Sequence, residues 1–448
     1  MNYDIIVIGG NPAGGSAAAA AKAIHNDKSV LVIRKEDQSL IPCGIPYVFG
    51  TLDNVEQDIK SIEPAKKSGL DFLIDEVIAI NVDSKSLTLK SNEAVTFKKL
   101  IIATGSQPFV PLIAGADLNG VVTIGKELEH IKSIHSFLKE GQNTVVIGAG
   151  FVGVEMSDEL IKLGGKVTLI EAMNSILPLA FDEDMIQPAT DLLTHHGVEI
   201  RTNTMVDEIM GENGQVVGVK LKGGEIIKAD RVIMAIGYKP NASLAEECGL
   251  DIGIYGGIVT DEYMRTSVED IFAVGDCVEH RDFFTRKQSR LMLASTGASE
   301  ARIAGMNLYD LRVIRQTKGS IAIFSTSLGD ISMGAAGLTE KHASTEGFQF
   351  VVGQNKGLDH HPALLPDTKT QMVKLIFSKG SGVILGAQIL GGSSTGEMIN
   401  ILGLAIQKHM TASELAIMQY GTQPMLTAGP GNYPIVLAAI DAITKMNY

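Results

Sequence analysis

Residues 4–24 of the chain read DIIVIGGNPAGGSAAAAAKAI, and this stretch decides the fold. Its apolar run 5–8 is typical of a buried strand, the next seven residues hold four glycines, and the alanine-rich segment favours a helix to about residue 23. The apolar run 30–33 supplies a second strand, so the segment predicts a βαβ motif. The backbone amides at such a helix start lie at the positive end of its dipole and can hold a pyrophosphate.

The same order of elements returns about 140 residues later, which indicates an internal duplication. Residues 144–147 are predicted as a strand, GAGFVG (148–153) as the turn, 154–163 as a helix and 166–170 as the second strand. GAGFVG is the complete GxGxxG pattern in its required context. Glu171 ends the second strand, where a carboxylate accepts a hydrogen bond from a ribose 2′-hydroxyl and repels a 2′-phosphate. The second motif therefore predicts an NADH site in preference to an NADPH site, the alternative being a structural glycine turn.

The first motif is less regular, because Asn11 stands where the middle glycine is expected and Arg34, not an acid, ends its second strand. Glu36 follows two residues later. A second feature strengthens the motif: DIFAVGDC (270–277) reads as a strand running into Gly275 and Asp276. A carboxylate at a strand end is well placed for the ribitol chain of FAD, whereas a helix N-cap is its ordinary structural role. We expect FAD on this motif.

The two motifs end in similar segments, LIIATG (100–105) and VIMAIG (232–237). The composition of the chain changes after about residue 320. The pattern there predicts strands at 322–324, 348–352, 372–377 and 384–390 and a helix at 394–408. The predicted fold class is α/β, with two Rossmann-like dinucleotide-binding domains and a C-terminal α+β domain. The predicted boundaries are 1–113 with 245–319 for FAD, 114–244 for NAD and 320–448 for the third domain.

Composition limits the possible partners. The chain of 448 residues has a formal net charge of −13 and no long basic run, which argues against binding to nucleic acid or to an anionic membrane. Its longest apolar stretches are far shorter than a membrane span, and the start of the chain runs directly into a predicted strand instead of a secretion signal. Three cysteines without metal-ligand spacing suit a reducing compartment. We expect a cytoplasmic protein.

Cys43 is the candidate redox residue and lies in SLIPCGIPY (39–47), ten residues after the first motif's second strand. Pro42, Gly44 and Pro46 predict a rigid turn or a helix start, where a helix dipole and a nearby flavin favour the thiolate. A lone thiolate attacks a disulfide or a peroxide, or rests as a sulfenic acid or mixed disulfide. The ordinary alternative is a buried, inert cysteine, which is how we interpret the other two cysteines, at positions 248 and 277.

Taken in order, these motifs resemble those of the pyridine nucleotide-disulphide oxidoreductases. GGNPAGG, SLIPCGIPY, ATGSQP, GAGFVGVE, AIGYKPN, FAVGDC, GAAGLTE and LGAQILGG follow the family's sequence over essentially the whole chain. The resemblance is to the single-cysteine branch of NADH oxidases, NADH peroxidases and coenzyme A-disulfide reductases. It implies FAD and NADH as cofactors, and a C-terminal dimerisation domain that contributes to the partner subunit's active site in a homodimer.

The resemblance also implies site residues. It implies Cys43 near flavin C4a and Glu155 near the nicotinamide, and the candidate catalytic residues are Cys43, Tyr420 and Glu155. Phe151 and Val152 would line the path of NADH, Asp276 would hold the ribitol, and Ser39 matches the family's S-x-x-x-C spacing. The full set of expected cofactor-binding residues is Gly9, Gly10, Pro12, Ala13, Gly14, Arg34, Lys35, Ser39, Val77, Thr104, Gly105, Gly148, Gly150, Phe151, Val152, Gly153, Glu155, Glu171, Gly237, Gly275, Asp276, Ala294, Ser295 and Thr296.

Two departures from the family's pattern limit the choice of substrate. Peroxidases and water-forming oxidases of this branch carry a histidine in the first glycine turn, where this chain has Pro12, and this weakens a dedicated peroxide reaction. Coenzyme A-disulfide reductases carry basic residues late in the first helix, where this chain has Ile24 and His25 after Lys22. That difference weakens coenzyme A disulfide as the substrate.

A third departure concerns acid–base catalysis. TQPMLT (422–427) resembles the region that holds the catalytic histidine of two-cysteine reductases, but Gln423 takes its place and cannot exchange a proton near pH 7. Tyr420 could donate a proton to a leaving thiolate or could simply pack in the core. His360 and His361 could serve a substrate at the dimer interface or lie in a solvated loop.

Three functions fit these residues. The leading hypothesis is an NADH-dependent reductase in which FAD and Cys43 pass electrons to a disulfide, persulfide or polysulfide, or the flavin passes them to oxygen. The alternative is an NADH-oxidising electron-transfer flavoprotein that serves an iron–sulfur protein, with Cys43 not catalytic. A redox sensor without turnover is the third. The sequence does not name the electron acceptor.

Overall fold

The structure is a computed structural model and describes residues 1–139, 143–315 and 319–446. The chain divides into two compact units. Unit 1 comprises Met1–Val110, Thr123–Glu140 and Gly237–Ser320, and unit 2 comprises Pro111–Val122, Gly141–Ile236 and Ile321–Tyr448. Each unit contains one of the two βαβ motifs.

Unit 1 is built on a seven-stranded sheet. Its strands lie in the order Asp71–Ile74, Val30–Arg34, Asn2–Ile8, Ala94–Ile102, Ser86–Leu89 and Val77–Asn81, and Ile271–Ala273 also pairs with Ala94–Ile102. The pairs nearest the first motif are parallel, whereas the hairpin strands at one edge are antiparallel. The short strand pairs are Ser39–Leu40 with Ile59–Lys60, Ser106–Pro108 with Tyr238–Pro240, and His280–Arg281 with Gln288–Ser289.

The α-helices of unit 1 are Pro12–Ile24, Glu63–Lys67, Leu128–Lys139, Ser243–Glu247 and Ala294–Met306, and its 3₁₀ helices are Ile45–Phe49, Val55–Asp58 and Gly275–Cys277. The helices Pro12–Ile24 and Ala294–Met306 pack closely because their contact faces are small. A Cβ added to Gly305 would lie 2.6 Å from the carbonyl oxygen of Ala17. The alanine-rich composition of the first helix therefore sets this packing distance.

The described part of unit 2 contains three sheets, one of which is a three-stranded meander. Val121–Thr123, Arg231–Met234, Asn143–Ile147, Lys166–Ile170 and Val198–Arg201 form the sheet of the second motif, and Val206–Glu212, Gln215–Leu221 and Ile226–Lys228 form the meander. The C-terminal sheet is antiparallel in the order Ile323–Leu328, Ile331–Gly337, Ile384–Gly391, Thr370–Ser378 and Phe350–Leu358. The helices are Phe151–Ile161, Glu183–His195, Glu340–Thr345, Thr395–Gln407, Ala412–Ala416 and Pro434–Lys445.

The fold class is confirmed, and several element bounds were wrong. The strand predicted at 322–324 spans Ile323–Leu328, because its second half also pairs with Ile331–Gly337. The helix predicted at 154–163 spans Phe151–Ile161, because the last residues of the glycine turn already form its first turn. The strand predicted at 348–352 spans Phe350–Leu358, because its polar second half pairs with Thr370–Ser378. Within the described ranges, no helix combines the length and apolar character needed to span a bilayer.

Candidate functional site: two glycine turns and an exposed thiol

The first glycine turn, residues 9–14, has the backbone of a phosphate-binding turn. Gly9 has a φ of +107°, and a Cβ there would lie 2.2 Å from the carbonyl oxygen of Ala103. A Cβ on Gly14 would lie 2.0 Å from the carbonyl oxygen of Gly9. Helix Pro12–Ile24 begins immediately, and the Asn11 side chain does not cap it. Because these positions require glycine and the first helical amides lack a side-chain cap, the turn can receive an anionic group.

Two other predicted residues of unit 1 carry buried polar atoms that have no hydrogen-bond partner within the described part of the chain. Arg34 is only 5% exposed and lies against the turn, since a Cβ on Gly10 would lie 3.2 Å from its Cδ. Its Nε donates to the carbonyl oxygen of Glu36 at 2.5 Å, but both terminal nitrogens lack a partner among the described residues. The buried Ser39 hydroxyl also lacks one there. Buried donors are costly when unpaired, so these groups fit a site completed by a bound ligand rich in acceptors, as FAD is.

Three separately predicted segments of unit 1 converge on Asp276. A Cβ on Gly275 would lie 2.7 Å from the Cβ of Ala13, and a Cβ on Gly297 would lie 3.0 Å from the Cα of Gly275. The first glycine turn, the Gly275–Cys277 helix and the start of helix Ala294–Met306 therefore meet. Ala294, Ser295 and Thr296 form the first turn of that last helix, and its N-cap residue, Leu293, makes no side-chain capping bond.

The Asp276 carboxylate has two partners that the sequence did not identify. Ser106 donates to its Oδ2 at 2.8 Å, and the Lys126 ammonium lies 3.1 Å from the same atom. Lys126 also contacts the Ser106 hydroxyl at 2.9 Å. This network fixes the orientation of the carboxylate. Ser106 lies in the ATGSQP motif, but no sequence pattern relates Lys126 to Asp276, because the two residues are 150 positions apart in the chain.

Other predicted cofactor residues of unit 1 lie in ordinary packing environments. Thr104 donates through its hydroxyl to the carbonyl oxygen of Asn241 at 2.6 Å, and Gly105 has a φ of +70°. Val77 begins the strand Val77–Asn81 and is partly buried. Lys35 is mostly exposed and forms an ion pair with Glu76 at 2.5 Å. The roles of these four residues stay predictions.

Cys43 is exposed and lies in a turn immediately before the 3₁₀ helix Ile45–Phe49. That helix has five residues, so its dipole contributes little to favouring the thiolate. Cys277 is fully buried and Cys248 is half-buried, where its thiol donates to the carbonyl oxygen of Ala245. Among the three cysteines, Cys43 is therefore the one that solvent reaches most readily.

The second glycine turn, residues 148–153, repeats the first. Gly148 has a φ of +98°, and a Cβ on Gly153 would lie 1.9 Å from the carbonyl oxygen of Gly148. Gly150 is the N-cap of helix Phe151–Ile161, and a Cβ there would meet no atom within 4 Å. Glu171 accepts hydrogen bonds from the amides of Ala149 and Met173, each at 2.8 Å. The carboxylate is thus fixed beside the turn, where the NADH prediction placed it.

Glu155 lies one helical turn into helix Phe151–Ile161 and is mostly buried. It accepts a hydrogen bond from the Thr326 hydroxyl at 2.7 Å. Burial raises the pKa of Glu155 to about 7 despite that hydrogen bond, and the negative charge of Glu159 adds to the shift. Phe151 stacks on Phe324 with ring centroids 4.9 Å apart, and Val152 is partly buried. A carboxyl that exchanges a proton near neutral pH therefore lies beside the second turn.

The C-terminal loops place the two histidines near TQPMLT (422–427). The His361 Nδ1 lies 2.9 Å from the carbonyl oxygen of Thr427, whereas the His360 Nδ1 lies 3.3 Å from the Asp359 carboxylate. Tyr420 stacks on Tyr433 at 4.2 Å and donates its hydroxyl to the carbonyl oxygen of Pro430 at 2.6 Å. The Tyr420 hydroxyl is engaged in this unit, and its catalytic role stays a prediction.

Comparison with known proteins supports these observations. The family model for pyridine nucleotide-disulphide oxidoreductases matches residues 3–301, and the model for the dimerisation domain of that family matches residues 323–431.

The chain belongs to the pyridine nucleotide-disulphide oxidoreductase family. An NADH oxidase from Methanocaldococcus jannaschii is 31% identical over 453 residues and covers 99% of each chain. The solved structure of an NAD-dependent persulfide reductase from A. fulgidus is 31% identical, with a TM-score of 0.90 over 99% of this chain and 83% of that one. The NADH-bound water-forming NADH oxidase from Lactobacillus brevis is 28% identical, with a TM-score of 0.89 over 99% of each chain.

This membership confirms the α/β fold with a C-terminal dimerisation domain. It also confirms that the protein is an oxidoreductase that uses FAD and NAD(H). The unpaired donors of Arg34 and Ser39 and the two glycine turns are features of this chain that fit those cofactors.

Proposed function

We propose that the protein oxidises NADH and delivers the electrons through FAD and Cys43 to a persulfide, polysulfide or disulfide, with oxygen as a direct oxidant of the flavin. The observation that carries this proposal is the presence of two glycine turns of matching geometry in a chain that also exposes one thiol. FAD, when bound, supplies the two-electron chemistry that links a hydride donor to a thiol. Similarity to an NADH oxidase and to a persulfide reductase supports both kinds of acceptor.

In this scheme, each unit binds its own dinucleotide. In unit 1, the helix-start amides after Gly9 hold the FAD pyrophosphate, Arg34 and Ser39 donate hydrogen bonds to FAD, and Asp276 accepts from the ribitol. Lys126 and Ser106 keep the Asp276 carboxylate oriented for that role.

In unit 2, the amides after Gly148 hold the NADH pyrophosphate. Glu171 accepts from the ribose hydroxyls of the adenosine, and its negative charge opposes the 2′-phosphate of NADPH. Glu155 and Phe151 lie within the first turns of the same helix, and we assign them to the nicotinamide side of the site.

The Cys43 thiolate is the group that attacks the sulfur substrate. It breaks the S–S bond of the substrate, releases one half as a thiolate, hydrosulfide or shorter polysulfide, and holds the other half as a mixed disulfide or a Cys43 persulfide. Two electrons from NADH then cleave this new S–S bond, which releases the second half as a thiolate or sulfide and restores the Cys43 thiolate. Gln423 cannot supply the proton for the departing thiolate, so the proton comes from solvent or from another side chain.

We further propose a homodimer in the cytoplasm. The match of residues 323–431 to a dimerisation domain supports the dimer, as do the exposed apolar side chains of Leu364, Ile417 and Leu426 in the same region. An exposed redox thiol such as Cys43 keeps its reduced form most easily in a reducing compartment.

Replacing Cys43 tests the proposal. The Cys43→Ser variant should lose NADH-dependent reduction of polysulfide and disulfides but keep NADH reduction of a one-electron dye. Cys248→Ser, which alters a half-buried thiol, is the matched control and should keep all activities. If Cys43→Ser turns over every acceptor at the normal rate, Cys43 is not catalytic, and electron transfer to an iron–sulfur protein becomes the better account.

A further inference from the structure

A buried carboxyl group packs directly against the turn that carries Cys43. Asp58 ends the 3₁₀ helix Val55–Asp58 and is 4% exposed. A Cβ built on Gly44 would lie 2.0 Å from its Oδ1 and 3.3 Å from its Oδ2. Gly44 follows Cys43 in the chain, so the Asp58 carboxyl fills the space that a side chain at position 44 would need. This explains why a glycine stands beside the cysteine.

The backbone ties the two segments together. The Ile41 amide donates to the carbonyl oxygen of Asp58 at 3.0 Å, and the Gly44 amide donates to the carbonyl oxygen of Ile41 at 2.8 Å. Ser39–Leu40 pairs with Ile59–Lys60 on the other side of this contact. The distance between Asp58 and the Cys43 turn is therefore fixed by main-chain hydrogen bonds.

No cation among the described residues forms an ion pair with the Asp58 carboxyl. Its Oδ2 has no hydrogen-bond partner among the described residues. Burial raises the pKa of Asp58 to about 6, and the backbone amide of Ile41 opposes that shift. The charged or titratable side chains on the described elements around it include Tyr47, Glu56, Lys60, Glu129, His130, Lys132 and His135. Of these, Lys132 forms ion pairs with Glu56 at 3.2 Å and with Glu129 at 3.4 Å.

We propose that the Asp58 carboxyl controls the protonation state of the Cys43 thiol. This inference rests on the proposed redox role of Cys43. A neutral carboxyl permits the thiolate beside it, whereas a carboxylate disfavours a second negative charge close by. Because Asp58 changes charge near pH 6, it makes the thiolate population less sensitive to pH across the neutral range.

The test measures thiol reactivity instead of turnover. The rate of alkylation of Cys43 by iodoacetamide is followed by mass spectrometry in the FAD-loaded protein from about pH 5 to 9. In the wild-type protein, the logarithm of the rate should rise more slowly around pH 6–7 than on either side of that range. In Asp58→Asn, the rise should be uniform and the rate near neutral pH about 3- to 10-fold higher, since the opposing charge is gone.

Glu56→Gln is the matched control, because Glu56 lies on the same 3₁₀ helix but is largely exposed. It should change the alkylation rate by less than about twofold. An Asp58→Asn profile identical to that of the wild type would overturn the proposal. Should that variant fail to fold, the wild-type profile decides alone, and a uniform rise from acid to alkaline pH would overturn it. Failure here leaves the Cys43→Ser result unaffected, so the two proposals are tested separately.

Discussion

The two glycine turns have nearly the same backbone but opposite polar groups beside them. Gly9 and Gly148 have φ values of +107° and +98°. A Cβ on Gly14 would lie 2.0 Å from the Gly9 carbonyl oxygen, and a Cβ on Gly153 would lie 1.9 Å from that of Gly148. At the end of the second strand of the first motif stands Arg34, whose terminal nitrogens lack partners among the described residues. Glu171 follows the corresponding strand of the second motif, and its carboxylate accepts hydrogen bonds from two backbone amides.

This difference shows which features belong to the turn and which to the ligand. The glycines are required by backbone contacts that both turns share, so they identify a dinucleotide site without naming its ligand. Glu171 is satisfied within the protein and acts as a fixed acceptor and a negative charge. Arg34 offers only donors, and its two terminal nitrogens lack partners among the described residues, so under the proposed function it donates to the ligand. Under the proposed function, Arg34 and Glu171 are thus the side chains at equivalent positions that distinguish the two dinucleotide sites.

The largest expected effects come from substituting the glycines that have no room for a Cβ atom. Gly14→Ala should weaken FAD binding on the order of 100-fold, because its Cβ cannot fit beside the Gly9 carbonyl oxygen without a backbone shift. Gly153→Ala should leave FAD bound but weaken NADH binding to a similar degree. Both affinities are measured by titration of the purified proteins.

Gly15→Ala is the control for the first turn, since its Cβ would lie 3.5 Å from the nearest atom, and it should retain FAD. Equal loss of both dinucleotides in either variant would show that the turns do not act independently.

The two motifs also differ at Glu155, since the corresponding residue of the first motif is Ser16. Its pKa is raised from 4.5 to about 7, so the folded protein binds this proton more tightly than the unfolded chain. The free energy of unfolding therefore falls as pH rises from about 4.5 through 7. Glu155→Gln should remove this dependence and gain about 3 kcal/mol over the wild type at pH 8, with little difference near pH 4.

Chemical denaturation of both proteins at the two pH values measures this difference. A constant difference between wild type and Glu155→Gln at both pH values would contradict the assigned pKa.

Arg34→Met should change FAD affinity and protein stability in opposite directions. Loss of the buried donors should weaken FAD binding by about 10-fold or more, while the apoprotein should become slightly more stable because an unpaired guanidinium is removed. Fluorescence titration and thermal unfolding of the apoproteins measure the two effects. Lys90→Met alters an exposed residue paired with Glu76 and should change neither. Unaltered FAD affinity in Arg34→Met would mean that FAD does not bind Arg34.

Glu171→Gln is expected to have the smallest effect. Removing the negative charge should raise the preference for NADPH relative to NADH by about 10-fold, measured as the ratio of the two kcat/KM values. Glu199→Gln, on the next strand and paired with Arg201, is the control and should leave the ratio unchanged. An unchanged ratio in Glu171→Gln would show that Glu171 does not select the cofactor.

The sequence predicted the fold well where the signal is local. The strand–turn–helix pattern around Gly9 and Gly148 depends on neighbouring residues. Each of the segments that converge on Asp276 was likewise recognisable from its own local sequence. Contacts between distant residues were not predictable, because no spacing rule relates Lys126 to Asp276 or Thr326 to Glu155. The role of Asp58 was missed for the same reason, since only the fold places it against Gly44.

The most direct test of the account is anaerobic addition of NADH to the purified protein. We predict that the protein carries one FAD per chain and that NADH bleaches the flavin absorbance stoichiometrically, in the wild type and in Cys43→Ser alike. A protein that cannot take up FAD, or a bound flavin that NADH leaves oxidised, would contradict the assignment of the two glycine turns.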